Sequence, residues 1–91
     1  MYKVSENVRS THNQDGAIVL DIRQGKIFNL NVVGSRILEL LKSGSSQSST
    51  AAEISREFSI GRDLAESDVR EFLQTLEKCR LVERLETSSA V

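Results

Sequence analysis

The sequence predicts an α+β domain in which a three-stranded antiparallel sheet is followed by three helices. Apolar and polar residues alternate over the first third of the chain, which is typical of strands. From residue 31 onward apolar residues recur every three or four positions, which is typical of helices. Because the period changes once and no segment repeats, we expect one sheet with its helices on one face. A chain of 91 residues has room for one hydrophobic core.

The first two strands are predicted on either side of a turn. Tyr2, Val4 and Val8 alternate with polar residues and predict a first strand with one apolar face. Residues 13–16, Asn-Gln-Asp-Gly, form a turn signal. Residues 17–22 are apolar at nearly every position, so we expect a central strand that is covered on both faces.

A third strand is predicted over residues 26–30, after a tight turn at Gly25. The short connections place this strand at an edge of the sheet. Phe28 and Leu30 share the side that should face the core, and Ile27 points to the other side. The strand has no proline and a single charged residue, so little prevents its open edge from pairing with another chain. An open edge beside an apolar helix is the geometry by which peptides bind through strand addition.

Local capping signals predict the first two helices. Asn31 is placed to cap the first helix, which should end near Gly44. A serine-rich connector occupies residues 43–49. Thr50 and Glu53 then match a capping box and predict the start of a short second helix.

The third helix is predicted to be the longest, over about residues 64–79, with Asp63 as its cap. Its apolar face carries Val69, Phe72, Leu73 and Leu76. The polar stretch from Glu83 to Val91 predicts a fraying tail. We therefore expect one domain over residues 1–84 and a flexible tail over residues 85–91.

Composition excludes several classes of function. Lys and Arg number 12 against 13 Asp and Glu, so the chain has no basic field that would attract nucleic acid or an anionic membrane. His12 and Cys79 are the only residues of their types, too few for a zinc site or a disulfide. No catalytic constellation or phosphate-binding glycine loop is present, so we predict no enzyme activity, metal or cofactor. The unpaired cysteine and the lack of a signal or membrane-spanning segment predict a cytoplasmic protein.

A DNA-binding regulator is the alternative function, because strands with three helices also build winged-helix domains. The predicted third helix argues against it. Between residues 64 and 80 the cations Arg70, Lys78 and Arg80 face four carboxylates. A recognition helix with net negative charge would repel the phosphate backbone.

Two stretches of the sequence resemble the core of the pyrroloquinoline quinone biosynthesis protein D family. They are residues 15–21 and residues 25–37, which contain a turn, an aromatic-containing strand, a Leu-Asn corner and a glycine early in the first helix. The later runs that match are Ala52-Glu53-Ile54, Asp68-Val69, Phe72-Leu73 and Leu81-Val82. The resemblance spans about residues 3 to 83.

The resemblance implies a stand-alone recognition element, with a winged-helix-like fold, for ribosomally made and post-translationally modified peptides. In such domains the leader of the precursor peptide adds antiparallel to the third strand, in a groove beside the third helix. The leader is then presented to a separate maturation enzyme, either a leader peptidase or a radical SAM enzyme. Of these, the lasso-peptide type with its leader peptidase is favoured.

Carried over by position, the resemblance assigns peptide binding to one strand and one helix. The residues are Lys26, Ile27, Phe28, Asn29 and Leu30 of the third strand and Val69, Phe72, Leu73 and Leu76 of the third helix. For the four helix residues, plain core packing is the alternative interpretation. The expected partners are a leader peptide and a maturation enzyme, without nucleic acid or membrane, and the protein is expected to be a monomer or a homodimer.

Overall fold

The computed structural model describes residues 2–84, which form five strands and three helices. In chain order these are β1 (Tyr2–Val4), β2 (Val8–Asn13), β3 (Gly16–Asp21), β4 (Lys26–Leu30), α1 (Val32–Lys42), α2 (Gln47–Phe58), α3 (Arg62–Lys78) and β5 (Val82–Arg84). Strands β2, β3 and β4 form an antiparallel sheet in that order, and β1 pairs with β5. The predicted sheet of three strands followed by three helices is confirmed. The tail predicted over residues 85–91 lies outside the described residues.

One core joins the inner face of the sheet to the helices. Val19 of β3, Ile37 and Leu41 of α1, Ile54 of α2 and Leu73 of α3 are at most 2% exposed and belong to one contiguous cluster. Burying side chains of this size stabilises the fold by about 1.5–3 kcal/mol each. The shared core therefore fixes the position of α3 relative to the sheet.

The outer face of the three-stranded sheet is open to solvent. Ile18 of β3 is 47% exposed and Ile27 of β4 is 67% exposed. The prediction that β3 is covered on both faces was wrong, because α1 packs on the inner face and no described element covers the outer one. The central position predicted for β3 is confirmed.

The first predicted strand is divided into two. The backbone N–H groups of Asn7 and Val8 donate to Ser5, to its Oγ and its carbonyl oxygen respectively, each at 3.2 Å. These bonds turn the chain between β1 and β2. The expectation of one continuous strand was therefore wrong, and the two pieces lie in different sheets.

The chain after α3 returns to β1. Arg80 adopts a left-handed conformation with φ of 61°, and the N–H of Leu81 donates to the carbonyl of Leu76 at 2.8 Å, which ends the helix. The carbonyl of Leu81 accepts a bond from the N–H of Ser5 at 2.9 Å, and this bond sets β5 beside β1. The predicted polar tail was therefore wrong for residues 83–84, which belong to β5.

The start of α1 agrees with its predicted cap, and that of α2 does not. Asn31 caps α1 as predicted, because its side chain accepts a bond from the N–H of Gly34 at 2.8 Å. α2 starts at residue 47, since Ser46 and not Thr50 caps it by accepting from the N–H of Ser49 at 3.1 Å. Serine caps a helix as well as threonine does, so a run of serines makes the start ambiguous.

The start of α3 lies slightly before its predicted position. The helix begins at Arg62, and its N-cap position is Gly61, which makes no side-chain cap bond. Asp63 lies in the first turn, so the prediction of Asp63 as the cap was wrong. Its carboxylate still suits the positive end of the helix dipole there.

An ion-pair cluster joins α1 to α2. Arg36 of α1 donates from Nε at 3.0 Å and from Nη2 at 2.9 Å to the two carboxylate oxygens of Glu57 of α2. It also donates from Nη1 to Glu39 at 3.1 Å. The hydrogen bonds from Arg36 lower the pKa of Glu57 below its ordinary value.

Glu57→Gln should lower the free energy of unfolding by about 0.5 kcal/mol at pH 7, since both side chains of the pair are partly exposed and screened by solvent. The folded-state pKa of Glu57 lies below the unfolded value, so its contribution is present above the unfolded pKa and is lost as the pH falls through the folded pKa. Urea unfolding of both proteins should therefore differ at pH 7 and converge as the pH drops below about 4. If the free energies of unfolding of the two proteins still differed below pH 4, the effect of Glu57→Gln would come from packing and not from the ion pair.

Candidate peptide-binding site

The edge of β4 carries unpaired backbone groups. β4 pairs with β3 on one side only. The N–H of Ile22 donates to the carbonyl of Asn7 at 2.9 Å. In an antiparallel sheet the backbone groups of successive residues point alternately to one neighbouring strand and to the other. This bond therefore shows which residues of β3 bond to β2 and which bond to β4. By that alternation the backbone of Phe28 bonds to β3, whereas the N–H and C=O groups of Ile27 and Asn29 point away from the sheet. These two residues offer donors and acceptors to an incoming strand.

A groove of about 490 Å³ lies between the end of β4 and the helices α1 and α3. It is lined by Asn29, Leu30 and Asn31 at the end of β4, by Val33, Gly34 and Ile37 of α1, and by Asp68, Glu71, Phe72 and Thr75 of α3. The edge of β4 forms one rim and α3 forms the other. A strand added to β4 would therefore direct every second side chain into this groove.

The floor of the groove depends on close contact between Phe72 and Gly34. A Cβ atom at Gly34 would lie 3.2 Å from two carbons of the Phe72 ring, closer than an ordinary van der Waals contact. The glycine thus allows the half-buried ring to lie against the first turn of α1, where it packs on the core cluster. The Phe72 ring therefore forms an apolar floor of the groove, and the polar residues Asp68, Glu71 and Thr75 lie along its α3 rim.

Gly34→Ala should weaken peptide binding without unfolding the protein. The added methyl group displaces the Phe72 ring away from α1 and towards the groove, while alanine favours the helix by up to about 1 kcal/mol over glycine. We expect about a 3- to 10-fold loss of leader-peptide affinity by fluorescence anisotropy. The melting temperature should be unchanged or higher.

Gly61→Ala is the matched control, because a Cβ atom at Gly61 meets nothing within 4 Å. It should bind the peptide as the wild type does. Full affinity in Gly34→Ala would contradict the role given to the Phe72 floor.

Comparison with known proteins agrees with this architecture. The family model described as Coenzyme PQQ synthesis protein D (PqqD) matches residues 16–82. The chain belongs to the PqqD family. The predicted resemblance is confirmed, and the matched range contains both rims of the groove.

Solved structures similar to this PqqD-family chain include leader-peptide complexes. TbiB1 in complex with the TbiA(beta) leader peptide is 36% identical with a TM-score of 0.84, and the match covers 91% of this chain and 96% of that chain. Lasso peptide synthetase B1 complexed with the leader peptide is 22% identical with a TM-score of 0.82, over 91% and 98% of the two chains.

A third similar structure is the PqqD truncation of Methylobacterium extorquens PqqCD, described as a stand-alone recognition element for ribosomally synthesised and post-translationally modified peptides. It is 19% identical with a TM-score of 0.75, over 91% of this chain and 88% of that chain. At 19% and 22% identity the likeness shows the fold alone. No curated protein sequence matches the chain significantly.

The predicted strand residues of this PqqD-family protein coincide with β4. Asn29 and Leu30 line the groove, and Phe28 lies half-buried behind them against the core. Ile27 points to the outer face, as predicted, and Lys26 lies at the far end of the edge. The edge and the groove therefore meet at the C-terminal half of β4.

The predicted helix residues divide between the groove and the core. Phe72 lines the groove. Val69, Leu73 and Leu76 are at most 2% exposed inside the core, which is the alternative that the sequence left open. Apart from Phe72, the residues of α3 that face the groove are polar and lie beside the apolar stripe of the helix.

These polar residues of α3 were not among the predicted site residues. Asp68, Glu71 and Thr75 line the groove at spacings of three and four residues. This spacing marks one face of a helix, but solvated helix faces show the same pattern. The signal therefore could not distinguish a groove wall from an ordinary exposed surface.

The two carboxylates make the groove negatively charged. Within residues 2–84, no ion pair or hydrogen bond involves the carboxylate of Asp68 or of Glu71. The hydroxyl of Thr75 donates to the backbone carbonyl of Glu71 at 3.1 Å and leaves the carboxylate unbonded. The groove lining contains no lysine or arginine from this described range. An occupant of this groove therefore meets uncompensated negative charge along α3.

His12 and Cys79, the two residues considered for chemistry, do not line the groove. His12 is exposed on β2, with Nδ1 2.7 Å from Oγ of Ser35. Cys79 is half-buried at the end of α3. In the described part of the chain no group of three or more His, Cys, Asp or Glu residues is placed to hold a metal ion, and no helix is long and apolar enough to cross a membrane.

Proposed function

We propose that this PqqD-family protein binds the leader region of a ribosomally synthesised precursor peptide and presents it to a separate maturation enzyme. The observation that carries the proposal is the open edge of β4, where the backbone groups of Ile27 and Asn29 point outward beside the groove. An extended leader adds to this edge as a fourth strand, antiparallel to β4. Its alternate side chains enter the groove over Phe72.

The binding energy is divided between the strand edge and the groove. Four outward backbone groups can form four hydrogen bonds, each with a net value of about 0.5–1.5 kcal/mol. A leader that is disordered when free loses much of this gain on ordering. Apolar side chains buried over Leu30 and Phe72, at about 1.5–3 kcal/mol each, therefore set the affinity.

A lasso-peptide pathway is the pathway we propose. Two similar structures support this choice over quinone-cofactor synthesis. TbiB1, complexed with a leader peptide, is 36% identical over nearly the full length of both chains. Lasso peptide synthetase B1, also complexed with a leader peptide, has the same fold with a TM-score of 0.82. The enzyme that receives the leader is then a leader peptidase, with a radical SAM enzyme as the alternative. The protein itself contributes binding and no chemical step, and we expect it to act in the cytoplasm.

A calorimetric titration tests the function. The probes are the TbiA(beta) leader peptide and the leader of the precursor encoded beside the gene of this chain, with scrambled peptides as controls. We expect one of the two leaders to bind with 1:1 stoichiometry. Failure of both leaders to bind, or tighter binding of a DNA duplex with a steep dependence on salt, would overturn the proposal.

Hydrogen exchange tests the site independently of affinity. The amides of Ile27 and Asn29 should exchange fast in the free protein and slowly with the leader bound. The amide of Phe28, which bonds to β3 in the free protein, should be protected in both states. If the leader slowed amide exchange only in another strand, the binding site would lie there and not at β4.

A further inference from the structure

The two carboxylates that line the groove differ from Glu66, which lies on the other flank of α3. Glu66, on that other flank, accepts a bond from Nε of Arg62 at 3.1 Å. Asp68 is half-buried and Glu71 is exposed, and among residues 2–84 neither has an ion-pair partner. Glu66 is thus neutralised by an ion pair within α3, whereas the two carboxylates that line the groove are not.

The spacing of these carboxylates fits a side chain of an added strand. Asp68 and Glu71 are one turn apart, so their Cβ atoms are about 5–6 Å apart. Groove-facing residues of a strand are about 7 Å apart along the chain. A lysine or arginine on that strand can lay its apolar stem over Phe72 and bring its charge to both carboxylates.

We propose that the groove selects leaders that carry a lysine or arginine on the groove-facing side of the added strand, held by Asp68 and Glu71. This inference rests on the proposed function and narrows its substrate class. The edge of β4 and the apolar floor provide the binding site, and the carboxylates discriminate among the peptides that bind there. An acidic side chain at the same position is rejected by like-charge repulsion.

Other occupants fit the same groove less well. Within the described residues no group of three or more His, Cys, Asp or Glu residues is placed to hold a metal ion. A phosphate backbone would meet the repulsion that an acidic leader residue meets. A cationic peptide side chain supplies positive charge and hydrogen-bond donors, and the carboxylates of Asp68 and Glu71 can accept both.

The experiment is a charge scan of the leader against two protein variants. Lysine, glutamine and glutamate are placed in turn at each position of the leader that binds in the titration above. Each peptide is titrated into the wild type and into the double variant Asp68→Asn, Glu71→Gln. The matched control is the double variant Asp63→Asn, Glu66→Gln, which changes the net charge by the same amount on the same helix outside the groove.

One leader position should show a strong preference for cations in the wild type. At that position we expect lysine to bind about 5-fold tighter than glutamine and about 20-fold or more tighter than glutamate at low salt. The ratio of lysine to glutamine affinity should fall to about 1 in the groove variant and persist in the control variant. In 0.5 M salt the wild-type ratio should shrink, because salt screens the pair.

Two outcomes separate this inference from the proposed function. Suppose that peptides bind and that Asn29→Pro weakens this binding, but that the ratio of lysine to glutamine affinity is the same in all three proteins. The proposed selectivity is then wrong, and strand addition to β4 stands. If no leader peptide binds the wild type, the proposed function fails together with the inference. Equal losses of the ratio in the groove and control variants would show a general charge effect, which also contradicts the role of the groove.

Discussion

We expect Asn29→Pro to lower leader-peptide affinity about 30-fold or more while the sheet stays folded. The N–H of Asn29 points away from β3, so proline removes a donor offered to the peptide and no bond of the β3–β4 ladder. The proline ring also occupies the space that the added strand needs, so neighbouring bonds are lost with it. A loss of about 2 kcal/mol, from two or three net hydrogen bonds, corresponds to this decrease.

Ser10→Pro is the matched control for Asn29→Pro. The N–H of Ser10 points outward from the opposite edge of the sheet, along β2. Thermal unfolding by circular dichroism should show both variants folded, and anisotropy titrations should show full affinity only for the β2 variant. Wild-type affinity in Asn29→Pro, or an equal loss in both variants, would exclude the edge of β4 as the docking strand.

The edge of β4 could be predicted because its signals are local. The turn at Gly25, the alternation over residues 26–30 and the cap at Asn31 lie within seven consecutive positions. These positions alone settle where the strand begins and ends and which side chains face the core. The orientations predicted for Phe28 and Ile27 are confirmed for the same reason, since side chains of a strand alternate.

The helical wall of the groove could not be predicted in the same way. The apolar stripe of α3 predicts which residues are buried, but the groove lies along the border of that stripe. Which border residue faces β4 depends on the rotation and position of α3 against α1. Close packing at Gly34 and Phe72, far apart in sequence, sets that position, so Asp68 and Glu71 looked like ordinary solvated residues.

The pairing of β1 with β5 was missed because each strand has only three residues. Such short segments carry too few alternations to be distinguished from loops. They lie at opposite ends of the described chain, and the contact that joins them runs from Ser5 to Leu81. No local pattern signals a pairing over that sequence distance.

Gly16→Ala should have the largest effect on stability, with a loss of about 3 kcal/mol or more. Gly16 has φ of 138°, a backbone conformation that L residues rarely adopt. A Cβ atom there would overlap the carbonyl oxygen of Leu30 and lie 2.8 Å from the carbonyl carbon of Asn31. Both atoms belong to backbone, so the strand has to move to relieve the overlap. Strain and overpacking of this kind each cost about 1–3 kcal/mol.

The same overlap links stability to binding, because Leu30 and Asn31 form the corner between β4 and α1. Their displacement shifts the rim of the groove, so we expect leader affinity to fall about 10-fold or more at 10 °C, where the variant retains structure. Anisotropy titrations measure the affinity, and urea unfolding measures the stability.

Gly25→Ala separates the two causes of the Gly16→Ala effect. Gly25 also has a positive φ, of 67°, but a Cβ atom there meets nothing within 4 Å. It should therefore cost only about 1 kcal/mol and leave leader affinity intact. If Gly25→Ala and Gly16→Ala proved equally damaging, backbone strain alone would explain both. A larger loss confined to Gly16→Ala would show that contact with the Leu30–Asn31 corner holds the open edge and the groove in register.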